Sequence, residues 1–161
     1  MNVEIICIGS LKEPWLREAE KEYLKRLGLY CRVKVTELRE ARLPRKGGAA
    51  EEESVRLSEG NALLAAAERG GNANVFALDM RGRQQSSEKF AETIQGLALS
   101  GKSSTVFLIG GSLGLPEAVR SRADAVLSFS DMTFPHQMMR VILLEQLYRA
   151  QKILRGEPYH K

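Results

Sequence analysis

No apolar run in the sequence approaches the roughly 18 residues that a membrane-spanning helix needs. The opening MNVEIICIGS is short, carries Glu4 and reads as a buried strand rather than a leader, so a cytoplasmic protein is expected. Cysteine is scarce. Cys7 and Cys31 each fall in an apolar stretch, which excludes a disulfide framework and suits small buried core residues. Histidine is equally scarce: His136 and His160 stand alone, at no spacing that suits zinc, so no metal is expected. Linkers, repeats and low-complexity tracts are missing too, which leaves residues 1–161 as one domain.

The 43% of apolar and 27% of charged residues are ordinary for a globular chain and exclude disorder. The net charge of +4 is unevenly placed. Residues 1–48 hold 11 Lys and Arg against 7 Asp and Glu, whereas the remainder holds 13 of each. The excess is sharpest in RLPRKGG, where Arg42, Arg45 and Lys46 follow Arg39 in a loop bearing proline and glycine. Such a loop suits a phosphate backbone, although a solvated surface loop would have the same composition.

Periodicity and punctuation predict five strands alternating with five helices. Strands are expected at 3–9, 32–38, 74–80, 104–110 and 124–130. Helices are expected at 13–27, 49–69, from Ser86 or Ser87 onward, at 115–122 and at 135–154, with RGRQQSS (81–87) as a polar loop. This alternation implies an α/β domain with a largely parallel sheet of five or six strands and helices on both faces. Ligands of such sheets collect beyond the carboxyl ends of strands. Three strand ends look suited: Leu78-Asp79, Gly110-Gly111 and FSDMTF (129–134).

The stretch VFLIGGSLGLPEAV (106–119) runs from a strand through a glycine turn into a helix. Its G-G-x-x-G is neither the dinucleotide fingerprint nor a P-loop. No lysine or arginine lies within it, Pro116 at the first helical position offers no N–H, and Glu117 would repel an anion. An adenosine carrying positive charge fits better than one carrying phosphates, and S-adenosylmethionine has those features. Asp131, 20 residues after Gly111, keeps a ribose-binding carboxylate and hence a nicotinamide cofactor open.

The last helix is apolar around more of its circumference than one face requires, which points to a partner subunit. His136 and Arg140 share a face at its start, and Glu145 pairs with Arg149 by spacing. The tail GEPYHK cannot continue the helix past Gly156 and Pro158. Tyr159 and His160 are either frayed terminal residues or a pair that stacks on an unpaired base.

LIGGSLGL, the segment LSFSDMTFPHQMMRVILLEQLYRAQKILRGEPYHK and the opening IICIGSLKEPWLREAEKEYLKRLG closely resemble the ribosomal RNA large subunit methyltransferase H family of the SPOUT superfamily. The resemblance runs from Ile5 to Lys161 and is densest from Leu108 onward. It implies a C-terminal trefoil knot, a homodimer, and transfer of a methyl group from S-adenosylmethionine to N3 of a pseudouridine in 23S ribosomal RNA of the assembled ribosome. Carried over by position, the cofactor contacts fall at Leu78, Gly110, Phe129, Ser130, Asp131, Met132, Thr133 and Phe134.

The imide proton of the target base must be removed with assistance. His136 or His160 is the expected base, Arg140 would stabilise the anionic ring, and Tyr159 would position it. Arg42, Arg45 and Lys46 would hold RNA phosphates. Two other classes remain open on the residues alone: a nicotinamide-dependent oxidoreductase, suggested by Asp131, and a non-catalytic RNA-binding factor, suggested by the basic loop.

Overall fold

A computed structural model of the chain describes residues 1–42, 48–99, 101–102 and 104–160. Five parallel strands form one sheet in the order β2-β1-β4-β3-β5: β1 (Asn2–Ile8), β2 (Arg32–Leu38), β3 (Ala73–Gln84), β4 (Ser104–Ile109) and β5 (Ala125–Ser128). Between them lie α1 (Pro14–Leu27), α2 (Ala49–Glu68), α3 (Ser87–Leu99) and α4 (Glu117–Arg122), and α5 (His136–Leu154) closes the chain.

Alternation along the strands sorts the core into two layers, because successive side chains point to opposite faces. Val3, Ile5, Cys7, Phe76, Leu78, Phe107 and Ile109 face α1, α3 and α5. Ile6, Ile8, Ala77, Val106 and Leu108 face α2 and α4. Both sides are covered, as the near-continuous apolar strands require. On the second side Gly60 lets α2 lie against the start of α4: a Cβ there would stand 2.3 Å from Pro116 Cγ.

Three sequence expectations are corrected. First, β3 does not stop at Met80 but runs on through Arg81–Gln84, the segment expected as a polar loop. After an irregularity between Leu78 and Arg83 it pairs again with the end of β5. Gly82 permits this crossing, since a Cβ there would stand 2.5 Å from the backbone of Leu127. Polar composition hid a strand whose outer half is solvated. Second, Pro116 is the residue before α4, with φ −71° and ψ 160°, rather than its first helical residue. Third, the helices at the carboxyl edge start one or two residues later than their apolar period suggested.

The last third of the chain sets the site. After edge strand β5, residues 129–135 return across the carboxyl end of the sheet to begin α5 beside Gly9, at the end of β1. α5 then packs between α1 and α3. A chain that crosses back over strands already laid down is consistent with a C-terminal trefoil knot.

Candidate cofactor and catalytic site

The three strand ends meet around one cavity of about 870 Å³. Its floor is Leu78 and Ile109, its one side the glycine turn, and its other side the 129–135 loop. The turn is tight for a stated reason. Gly114 has φ +74°, donates its N–H to the carbonyl of Gly111 at 3.1 Å, and packs so closely that a Cβ on Gly110 would stand 2.9 Å from its backbone. A Cβ on Gly111 would meet the buried Glu59 carboxylate at 2.8 Å. The opposite loop is held by its own hydroxyls: Ser128 Oγ donates to the Ser130 carbonyl at 2.8 Å, and Ser130 Oγ accepts the Met132 N–H at 2.9 Å. Both walls are thus fixed by hydrogen bonds of their own.

Of the positions expected to hold the cofactor, Leu78, Gly110, Phe129, Ser130, Met132, Thr133 and Phe134 line this cavity. Asp131 is outside the lining. Its carboxylate accepts the Gln84 side-chain amide at 2.5 Å, so the ribose role that spacing suggested has no support in its orientation.

The absence of cations from the glycine stretch does not carry over to three dimensions. Arg56 from α2, Arg81 from β3 and Arg120 from α4 reach the cavity wall. Two of them are consumed by neighbours. Arg120 bonds Asp79 at 3.2 Å, Glu117 at 2.7 Å and the Leu115 carbonyl, with its side chain nearly buried. Arg56 pairs with Glu53 and donates to the Leu113 carbonyl at 3.1 Å. The Arg120 guanidinium beside it holds the Glu117 carboxyl below the usual range. Glu53, Asp79 and Glu117 equal the three arginines in number, and Arg81 alone of the three makes no ion pair among the described residues, acting on Glu117 at longer range. Glu53 and Arg56 were missed because α2 lies far from the glycine turn in sequence, whereas Arg81 and Arg120 stand just beyond the stretches singled out there.

His136 lines the cavity at the first residue of α5. Burial lowers its pKa, against the opposing pull of Glu40, so the ring favours its neutral form. Arg140, one turn further along, corrects another expectation. Its side chain is 2% exposed and turned away from the cavity, paired with Glu20 at 2.8 Å and Glu37 at 2.7 Å and donating to Cys7 Sγ at 3.0 Å. An apolar helix face can bury a charge only where opposite charge meets it, and here Arg140 clamps α5 to α1 and β2 instead of facing a ligand.

Tyr159 and His160 are ordered against their own α5, not frayed. Tyr159 packs edge-on to Tyr148 at 4.9 Å, under the Arg149 guanidinium, and donates to Glu145 at 3.1 Å. His160 meets Glu88 at 2.8 Å and Arg149 at 3.3 Å. Hydrogen bonds from Ser86 and from its own backbone N–H, and then His160, hold the Glu88 carboxyl down at about 2. Neither tail residue lines the cavity of its own chain. Arg42 is exposed, while Arg45 and Lys46 lie outside the described residues.

Comparison with known proteins gives a consistent picture. A family model described as predicted SPOUT methyltransferase matches residues 1–160. Proteins named ribosomal RNA large subunit methyltransferase H are similar over their whole length: 51% identity for that of Clostridium novyi (strain NT) and 48% for that of Clostridium botulinum (strain Kyoto / Type A2), each covering 100% of both chains. Two solved structures share the fold. A probable methylase family protein from Haemophilus influenzae Rd KW20 aligns with a TM-score of 0.57 at 13% identity, over 99% of this chain and 70% of that one. The tRNA (m1G37) methyltransferase from Aquifex aeolicus aligns with 0.54 at 14% identity, over 92% and 70%.

Proposed function

The chain belongs to the ribosomal RNA large subunit methyltransferase H family of SPOUT methyltransferases, and from that premise we propose that its cavity binds S-adenosylmethionine and serves methylation of N3 of a pseudouridine in 23S ribosomal RNA of the assembled ribosome. The observation that carries this reading is the cavity where three strand ends meet, with the glycine turn and the 129–135 loop as its sides. Its size suits a nucleoside with an amino-acid arm, and Gly110 and the 129–134 loop let backbone approach a purine closely. The Glu117 carboxylate at its rim is exposed but paired with Arg120, so the lining carries no excess of either charge. When bound, S-adenosylmethionine supplies an electrophilic methyl group on a sulfonium.

What the protein adds is placement and proton removal. The imide nitrogen can attack only as its proton leaves, and a neutral imidazole at the cavity edge is suited to take it. His136 is held in that form and at that edge. The bond formed is nitrogen to methyl carbon, the bond broken is carbon to sulfur, and the proton goes to His136.

The target base is held by a second copy of the chain. Met138, Val141 and Ile142 make a half-exposed apolar strip on α5 that packs against neither core layer, and Trp15 in the first turn of α1 is 54% exposed. Positions 138, 142, 145 and 149 share one helix face. An antiparallel pairing of two such faces brings the tail cluster of one copy, with Tyr159 and His160, to the His136 end of the other. Arg42, Arg45 and Lys46 form the most basic stretch of the sequence and would hold RNA phosphates. Ribosomes are the partner, and the cytoplasm the place.

The test is incubation with methyl-labelled S-adenosylmethionine and ribosomes that lack the modification, followed by mapping of the labelled nucleoside. Label in one pseudouridine of the large-subunit RNA is expected. Label elsewhere, or none, overturns the substrate.

A further inference from the structure

At the end of β1 the chain turns at Gly9 with φ +80°, a conformation that side chains disfavour. The place where a Cβ would project is flanked by two groups at the same distance, Glu40 Oε2 and His136 Nε2, each 3.8 Å away. Glycine therefore leaves a gap that a carboxylate and an imidazole both border. Both are held from behind. Gly9 N–H donates to the Leu38 carbonyl at 2.8 Å, which fixes the strand end that carries Glu40. The next residue, Ala41, donates its N–H to the buried Glu59 at 3.0 Å. On the other side Gln137 accepts the Lys12 N–H at 2.9 Å, which fixes the first turn of α5.

We infer that Glu40 is a positioning residue for His136, turning the Nε2 edge of the ring and setting the pH at which it is free to accept a proton. This rests on His136 being the proton acceptor proposed above. Carboxylates commonly orient catalytic imidazoles through the ring nitrogen they face, directly or through one water.

The charges around the ring act in opposite directions. Glu40 favours the protonated imidazole, whereas Lys12 and Arg140 disfavour it, as does burial. Lys12 Nζ also pairs with Glu40 at 3.5 Å and so weakens its pull. Arg140 is itself neutralised by Glu20 and Glu37, and Glu59 faces Glu40 from α2. Glu40 is thus the one group among the described residues whose charge favours protonation of the ring.

The experiment follows the His136 ring by NMR titration of the full chain, alongside single-turnover methylation of ribosomes across pH. Glu40→Gln is expected to lower the His136 midpoint by about 0.5 pH unit, and Lys12→Met to raise it by a similar amount. The acidic limb of the rate profile should move with each, and the plateau should fall several-fold in Glu40→Gln. Glu40→Asp should restore the midpoint. A midpoint that stays put in both Glu40→Gln and Lys12→Met overturns the inference. Retention of the full rate by His136→Ala, with the midpoint still moving in Glu40→Gln, instead overturns His136 as the base and removes Glu40 from the reaction.

Discussion

Arg140 shows how a residue can be read correctly in kind and wrongly in place. Its spacing from His136 puts both at the start of α5, yet neighbours remote in sequence decide where each side chain goes. Glu20 and Glu37 claim the guanidinium. No periodicity contains that information. Truncation to Arg140→Ala leaves two carboxylates facing a vacated space, one of them only 19% exposed, and should cost about 3 kcal/mol in chemical denaturation. Unchanged stability would mean that the pairs do not form. His136 yields a prediction of opposite character. Its pKa is lowered on folding, so the unfolded chain binds the proton more readily. Stability should therefore rise as pH increases from about 5 to 7. Comparison of wild type with His136→Asn isolates this contribution, and a wild-type excess that grows toward acid would reverse the sign. Asp131, at a persuasive spacing from the glycines, was equally misleading: Gln84 lies 47 residues away and takes its carboxylate.

At the level of elements the sequence was far more legible. α1 and α3 announce themselves by apolar period whereas α2 has almost none, and all five strands occur within a few residues of their expected bounds. The exception is informative. RGRQ carries no apolar alternation because it pairs across β5 at a crossing where one side is water, and only the glycine hints at close approach. Gly82→Ala should be poorly tolerated, because the clash is with main chain that cannot rotate aside. A loss of about 2 kcal/mol is expected, with weakened S-adenosylmethionine binding by calorimetry, since β3 and β5 bound the cavity. Wild-type behaviour in both would place the crossing elsewhere. The strand ends were legible for a related reason: ligand sites of parallel sheets follow from topology. Which charges stand around them was not, because Arg56 arrives from α2 and Arg81 from the continuation of β3 that was expected as a loop.

The whole molecule combines a cavity on one end of the sheet with an aromatic and basic tail folded on its own last helix. The two do not meet within one chain. The unpartnered strip of Met138, Val141 and Ile142 joins them if two copies pair. Ile142→Glu should therefore convert a dimer to a monomer by sedimentation. It should keep S-adenosylmethionine binding while reducing methylation of ribosomes at least 100-fold, an expectation of order set by loss of base positioning. A monomeric variant with full activity would show that each chain is complete.

The central claim is that a positively charged adenosine, and not a phosphate-bearing one, rests between the glycine turn and the 129–134 loop. A crystal structure of the protein with S-adenosylmethionine tests it most directly. The adenosine is expected against Leu78, Gly110 and the backbone of residues 129–134, with the methyl group turned toward His136. Binding at any other place, or displacement of S-adenosylmethionine from this cavity by a dinucleotide, would contradict it.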